Sequence, residues 1–170
     1  MFKISEIETI VNGELIRKSN NNPEISDILV DSRRLVTPDN CIFFALTGRN
    51  KNGHDYIPEL YSKGIRSFVV SVNNIKLDEY KGANFILVKN TLAALQALTA
   101  AHRKKFDIPV IGITGSNGKT IIKEWLFQLL NKKYRIVRSP KSYNSQIGVP
   151  LSVWQIEASN DLAIFEAGIS

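Results

Sequence analysis

Thiol chemistry is nearly absent from this sequence: Cys41 is the only cysteine, which rules out an intrachain disulfide. It sits in the apolar run Cys41-Ile42-Phe43-Phe44 and reads as a buried structural thiol. No apolar run approaches the ~20 residues that a membrane-spanning helix needs. The first residues, Met1-Phe2-Lys3-Ile4-Ser5-Glu6, lack a basic stretch followed by an apolar one, so neither a secretory leader nor membrane insertion is expected, and a reducing cytoplasm fits. No repeat or low-complexity segment stands out. Aromatic residues are not interleaved with Lys and Arg as a base-stacking platform requires, and no nucleic-acid partner is expected.

What is present is an ordinary globular composition, 44% hydrophobic and 22% charged over 170 residues, with a formal charge of +6 and a pI near 9.5. The charge suits a polyanionic partner, including a phosphorylated small molecule. The tightest basic cluster, His102-Arg103-Lys104-Lys105, closes a helical pattern, where cations complement the helix dipole, and reads as a solvated helix end.

Short apolar runs alternate with helical patterns throughout, the mark of an α/β protein. Ile4, Ile7, Ile10 and Val11 predict a first helix ending at Gly13, and Ile28–Val30 and Ile42–Leu46 read as buried strands. Tyr56, Ile57, Leu60 and Tyr61 predict a helix closed by Gly64, followed by strands at Ser67–Val72 and Phe85–Val88. Asn90 or Thr91 caps the next helix, which Asp107-Ile108-Pro109 breaks, and a domain boundary is expected there: residues 1–106, then 107–170. The second part predicts a strand at Val110–Ile113 and a helix from Gly118 with Ile121, Ile122, Trp125, Leu126, Leu129 and Leu130 on one face. A strand near Arg135–Val137, a helix near Val149–Ile156 and a strand at Leu162–Phe165 follow. These are too few elements for a parallel sheet covered on both faces, so this part reads as the beginning of a larger domain.

Between the Val110 strand and the Gly118 helix stands Thr114-Gly115-Ser116-Asn117-Gly118-Lys119-Thr120. A triphosphate needs inward-pointing backbone N–H groups, which glycines permit, and it gains from the positive end of the following helix. In such a loop Lys119 would reach the β- and γ-phosphates and the Thr120 hydroxyl would ligate Mg²⁺. The standard pattern has an earlier glycine where Ile113 stands, so Gly115 must make the turn. ATP or GTP binding is the base expectation. Glu166 ends the apolar run Leu162-Ala163-Ile164-Phe165, at the carboxyl end of a buried strand where ligand crevices form. It either holds Mg²⁺, directly or through water, or simply emerges into solvent.

Taken together, these motifs resemble the Mur ligases over essentially the whole chain. Their phosphate loop has the short Thr-Gly-Ser-x-Gly-Lys-Thr form seen at 114–120. Asp31-Ser32-Arg33, Phe43-Phe44-Ala45-Leu46-x-Gly48 and Gly53-His54 resemble the family's N-terminal UDP-substrate domain. The resemblance implies a small N-terminal α/β domain that binds a UDP-muramoyl substrate, then the truncated start of a P-loop parallel-sheet ATP-binding domain. ATP phosphorylates the substrate carboxylate to an acyl phosphate, which an incoming amine attacks. Ser32, Arg33, Gly48, His54, Asn144 and Ser145 are implied in substrate binding, residues 114–120 in holding ATP with Lys119 catalytic, and Thr120 and Glu166 in holding Mg²⁺. Arg33 offers a planar fork suited to a pyrophosphate or carboxylate.

Within the family, Ser142-Tyr143-Asn144-Ser145-Gln146-Ile147-Gly148-Val149-Pro150-Leu151 and Glu166-Ala167-Gly168 resemble the branch that adds D-alanyl-D-alanine to a UDP-N-acetylmuramoyl-tripeptide in peptidoglycan precursor synthesis. The branch that adds the third amino acid has a Thr-Thr-Pro segment there, which is missing. Some members of the first branch are fused to an alanine racemase. A further lysine that becomes carbamylated, the adenine contacts and an amino-acid-binding domain are expected beyond Ser170, so residues 1–170 are expected to bind a UDP-muramoyl ligand weakly and to be inactive alone. Two other classes share the loop: a P-loop kinase or GTPase, which leaves residues 1–106 unexplained, and a non-catalytic nucleotide- or nucleic-acid-binding module, which implies strongly salt-dependent binding.

Overall fold

A computed structural model of the chain describes residues 1–19, 21–34, 37–48 and 51–168. The chain divides into two compact units, Met1–Leu98 and Thr99–Ser170. The division lies inside a helix, while the Asp107-Ile108-Pro109 break follows later, because Phe106 and Ile108 pack against Val137, Ile156, Ala163 and Phe165 of the second unit.

The first unit opens with β1 (Phe2–Lys3) and α1 (Ile4–Ile10). The Lys3 backbone N–H donates to the Glu6 carboxylate at 2.6 Å, satisfying a group at the helix start, and Ile4 and Ile7 bury one helical face. The elements β2 (Glu14–Arg17), β3 (Glu24–Ile25), β4 (Asp27–Leu29), β5 (Cys41–Phe44), α2 (Ile57–Ser62), β6 (Ser67–Val70), β7 (Asn84–Leu87) and α3 (Thr91–Arg103) follow. Asn90 caps α3, its side-chain oxygen accepting from the N–H groups of Leu92 and Ala93 at 2.9 and 3.0 Å. The main sheet runs in the order β2-β7-β6-β5-β4. Its last four strands are parallel, and β5 and β6 are buried at every position, as strands covered on both faces must be.

Three short strands were not legible in advance. β1 pairs antiparallel with β3, and β2 pairs antiparallel with β7 across a bulge between Leu15 and Arg17. Each is too short or too polar to show a period; its partner makes it a strand. Beneath the sheet, Phe68 stacks on Phe85 with centroids 4.8 Å apart and meets the edge of Phe43 at 6.4 Å, while α2 contributes Ile57 and Leu60. Since β4 to β7 all point one way, the segments leaving them at Asp31, Ala45, Ser71 and Val88 lie along one edge of the sheet, the edge where open parallel sheets bind ligands.

In the second unit, β8 (Val110–Ile113), α4 (Lys119–Leu130), β9 (Ile136–Arg138), α5 (Gly148–Val153) and β10 (Leu162–Glu166) build a parallel sheet of order β8-β10-β9. Two expectations need correction. The apolar residues of α4 are not one buried face: Leu126 and Leu130 pack against Ile113, Leu162 and Ile164, but Ile121, Ile122, Trp125 and Leu129 are 46–76% exposed. The row Ile121-Trp125-Leu129 faces away from the sheet, and of the adjacent row Ile122-Leu126-Leu130 only the last two rest on it. Nor is His102 part of a solvated helix end. It is buried, with Nε2 at 3.0 Å from the Ile156 carbonyl and its ring 4.5 Å from that of Trp154, and Arg103 turns back to donate to the carbonyls of Phe106 and Ile108.

The aromatic stack organises the first core, so Phe68→Ala should lower the unfolding free energy by about 3–5 kcal/mol. Urea denaturation followed by far-UV circular dichroism measures it. A loss below about 1 kcal/mol would show a core that does not depend on this ring.

Candidate functional site

The loop between β8 and α4 takes the shape its glycines dictate. Gly115 has φ +136° and Gly118 φ +77°, both in the left-handed region that a side chain disfavours, and Gly118 is the residue from which α4 starts. The backbone turns twice within residues 114–118 and delivers the chain into the first turn of a 12-residue helix, whose unpaired N–H groups and dipole favour an anion. The Lys119 ammonium lies over this loop and donates to the Gly115 carbonyl at 2.5 Å and the Ser116 carbonyl at 3.4 Å. Thr114, Ser116 and Asn117 are exposed along it.

Glu166 does not emerge into solvent. It is fully buried at the end of β10, the central strand, with its backbone N–H donating to Ser139 Oγ at 3.0 Å. Its Oε2 accepts from Thr120 Oγ1 at 3.0 Å and its Oε1 lies 2.9 Å from the Nζ of Lys123, which is also fully buried. The strand carries the acid up from the sheet and the first turn of α4 carries the hydroxyl across to it.

This donor pair fits Mg²⁺. Neighbouring oxygens around an octahedral Mg²⁺ bound at ~2.0–2.1 Å are ~2.9 Å apart, and Thr120 Oγ1 and Glu166 Oε2 stand at 3.0 Å. Among the described residues no group of three or more His, Cys, Asp or Glu could hold a metal. A cation here would complete its shell with water and ligand phosphates, as Mg²⁺ commonly does.

The segment after β9 closes in beside the acid. The Asn144 carbonyl accepts from the Gly168 N–H at 2.7 Å, and a Cβ on Gly168 would stand 2.7 Å from that oxygen, so only glycine fits two residues after Glu166. Ser145 Oγ accepts from the Gly148 N–H at 3.0 Å and so caps the turn into α5. Asn144 is therefore held near the acid by its backbone, and the exposed Ser145 shapes the turn beside it.

In the first unit, Ser32 and Arg33 occupy a 3₁₀ turn, Ser32–Arg34, after β4. With Val30, Asp31, Phe43, Leu46, Lys51, Gly53 and Tyr56 they line a cavity of about 210 Å³. Ser32 is buried, whereas the Arg33 side chain is 77% exposed and forms a two-point pair with Asp31, Nε to Oδ1 at 2.9 Å and Nη2 to Oδ2 at 2.7 Å. The hydrogen bond from Arg33 holds the Asp31 carboxyl down at about 2. The Gly48 N–H donates to the Lys51 carbonyl at 2.9 Å. His54 faces inward. The Ser71 N–H donates to its Nε2 at 3.0 Å, which places the proton on Nδ1, donating to Asn52 Oδ1 at 2.7 Å; burial lowers its pKa. Its ring braces the turn to the end of β6. Lys51 and Tyr56, which line the cavity, carried no motif and were not anticipated.

The implied substrate residues thus divide between the units: Ser32, Arg33, Gly48 and His54 in the first, Asn144 and Ser145 in the second. Thr114 to Thr120, Lys119 and Glu166 come together in the second unit. Lys123 belongs with them, and no motif marked it. No helix among the described residues is long and apolar enough to cross a membrane.

Comparison with known proteins gives this geometry a context. A UDP-N-acetylmuramoyl-tripeptide--D-alanyl-D-alanine ligase of Treponema pallidum is 32% identical over 100% of the chain, and one of Borreliella burgdorferi is 36% identical over 86% of it. The chain spans 38% and 33% of the lengths of these two relatives. The crystal structure of MurF from Acinetobacter baumannii superposes with a TM-score of 0.88 at 25% identity, covering 99% of this chain and 36% of that one. The MurF ligase of Thermotoga maritima in complex with ADP superposes with a TM-score of 0.71 at 27% identity, covering 84% and 32%. The family description "Mur ligase family, catalytic domain" matches residues 15–103 and "Mur ligase middle domain" matches residues 113–170. With these matches falling on the two units that carry the cavity and the glycine loop at 114–120, the chain belongs to the Mur ligase family.

Proposed function

We propose that this chain forms the UDP-substrate part and the beginning of the ATP-binding part of a ligase that adds D-alanyl-D-alanine to a UDP-N-acetylmuramoyl-tripeptide. The carrying observation is the convergence of the glycine-shaped loop, Thr120 and the buried Glu166 at one end of a parallel sheet, with Asn144 tied through its carbonyl to Gly168, two residues beyond that acid. The names of the relatives, and the ADP in one of the structures, support the choice of substrates and of ATP. Residues 1–106 serve as the UDP-muramoyl domain and 107–170 as the start of the ATP domain. The reaction belongs to cytoplasmic peptidoglycan synthesis.

In this reading the terminal carboxylate of the tripeptide attacks the γ-phosphorus of ATP, ADP leaves, and an acyl phosphate forms. The amine of D-alanyl-D-alanine then attacks the acyl carbon and expels phosphate. The loop N–H groups orient the polyphosphate and Lys119 offsets charge developing on the transferred group. Thr120 and Glu166 would hold Mg²⁺, which supplies neutralisation of phosphate charge. The cavity beside Ser32 receives part of the UDP-sugar, and Arg33 reaches a phosphate or carboxylate by sharing or leaving Asp31.

The direct test is amide formation by the full-length protein from ATP, UDP-N-acetylmuramoyl-tripeptide and D-alanyl-D-alanine. Activity with a UDP-muramoyl-dipeptide and a single amino acid, and none with these substrates, would assign the chain to the branch that adds the third residue. Lys119→Ala should cut kcat by about 10²–10³-fold or more with the fold intact. Near-normal turnover would overturn the role given to the loop.

Arg33→Ala should raise the KM for the UDP-muramoyl substrate and leave that for ATP nearly unchanged, the pattern of lost ground-state binding. Equal effects on both would sink the separation of the two sites.

The Asp31–Arg33 pair has its own signature. Because the carboxyl titrates at about 2 instead of 3.8, any stability the pair adds is fully present above 3.8 and is lost as pH falls through about 2. In Arg33→Ala the Asp31 carboxyl, followed by NMR, should move back toward 3.8. A carboxyl that stays near 2 would mean that something other than Arg33 holds it.

A further inference from the structure

Lys123 is fully buried in a helix whose sequence gives no reason to bury it. It stands one turn after Thr120, on the same helical face. Its ammonium is surrounded by oxygens: the Ser139 carbonyl at 2.9 Å, the Lys141 carbonyl, Glu166 Oε1 at 2.9 Å and Glu124 Oε1 at 3.3 Å. Glu124 reaches on to Arg138 at 2.8 Å, and the Arg138 guanidinium lies 3.5 Å over the Phe127 ring. The result is a line of alternating charges, Arg138, Glu124, Lys123, Glu166, running inward and stopping where Thr120 meets the acid.

A buried charge pair seldom adds stability over apolar residues of the same volume, so the fold alone gives little reason for a lysine here. Its geometry does something specific. By taking Oε1 it leaves Oε2 as the oxygen that meets Thr120, and by donating to two carbonyls after β9 it ties the chain on the far side of the acid to the same point. Ser139 closes the circle, since its hydroxyl accepts from the Glu166 N–H.

We infer that Lys123 is a positioning residue: it fixes which carboxylate oxygen of Glu166 faces Thr120, and so sets the affinity for a nucleotide carrying a divalent cation without touching the nucleotide. This rests on the nucleotide-site reading above.

The test is titration calorimetry of ADP binding to the full-length protein, once with Mg²⁺ and once with EDTA. Lys123→Met should weaken Mg²⁺-dependent binding by about 10–100-fold, the usual cost of removing a group that orients a metal ligand. Mg²⁺-free binding, which the loop supports, should change less than about twofold, and Lys123→Gln should recover part of the loss. In a Glu166→Gln background Lys123→Met should add less than about twofold, because the two act as one unit. Equal losses with and without Mg²⁺, or additive losses in the double variant, would overturn the proposal. So would loss of a cooperative thermal transition in both Lys123 variants, which would give the lysine to the fold. Wild-type protein that binds no ADP in either condition would overturn the site reading and this inference together.

Discussion

Two opposite charges without solvent on either, Lys123 and Glu166, set the terms for the second unit. Interior charges are tolerated only when each is met at close range and its remaining hydrogen-bonding positions are filled. Meeting that demand requires β10 to end at one height, the chain after β9 to bend inward at Ser139–Lys141, and α4 to present the face carrying Thr120 and Lys123. The Lys141 φ of +52°, uncommon for a residue with a side chain, belongs to the same bend. The apolar clusters under α4 supply general cohesion, whereas the ion pair joins three elements at one point.

The first unit solves a different problem, that of keeping polar groups ready at the edge of an apolar sheet. Four parallel strands deliver their loops to one side, and short-range contacts then shape them: Asp31 with Arg33, Asn52 with His54, Gly48 with Lys51. These are contacts between near neighbours in sequence, so each loop is shaped largely by its own residues. His54, through Ser71, also reaches the end of a distant strand and braces its turn there.

How much of this was legible in the sequence depended on the range of the interaction. The shape of the loop at 114–120 was, since a glycine-rich turn between strand and helix is a local pattern with a local cause. Glu166 was half legible: a strand end was visible, but whether the acid faced solvent or Thr120 was decided by a residue 46 positions away. Lys123 was not, because a lysine in an amphipathic helix is ordinarily solvated, and the oxygens around it come from the segment after β9 and from the end of β10. His54 and Arg33 were found as motif members, yet motifs do not say which way a side chain turns. β2 escaped because its pattern exists only against β7.

The exposed row on α4 has a colloidal meaning. Ile121, Ile122, Trp125 and Leu129 offer water a strip of apolar surface on a molecule with a net charge of +6. At low ionic strength the shared positive charge keeps copies from meeting along that strip. Salt shortens the reach of the repulsion to about 8 Å at 0.15 M and leaves the apolar attraction in place. Dispersal of the 170-residue chain along that strip therefore depends on charge, a dependence that weakens as the pH nears its pI of about 9.5.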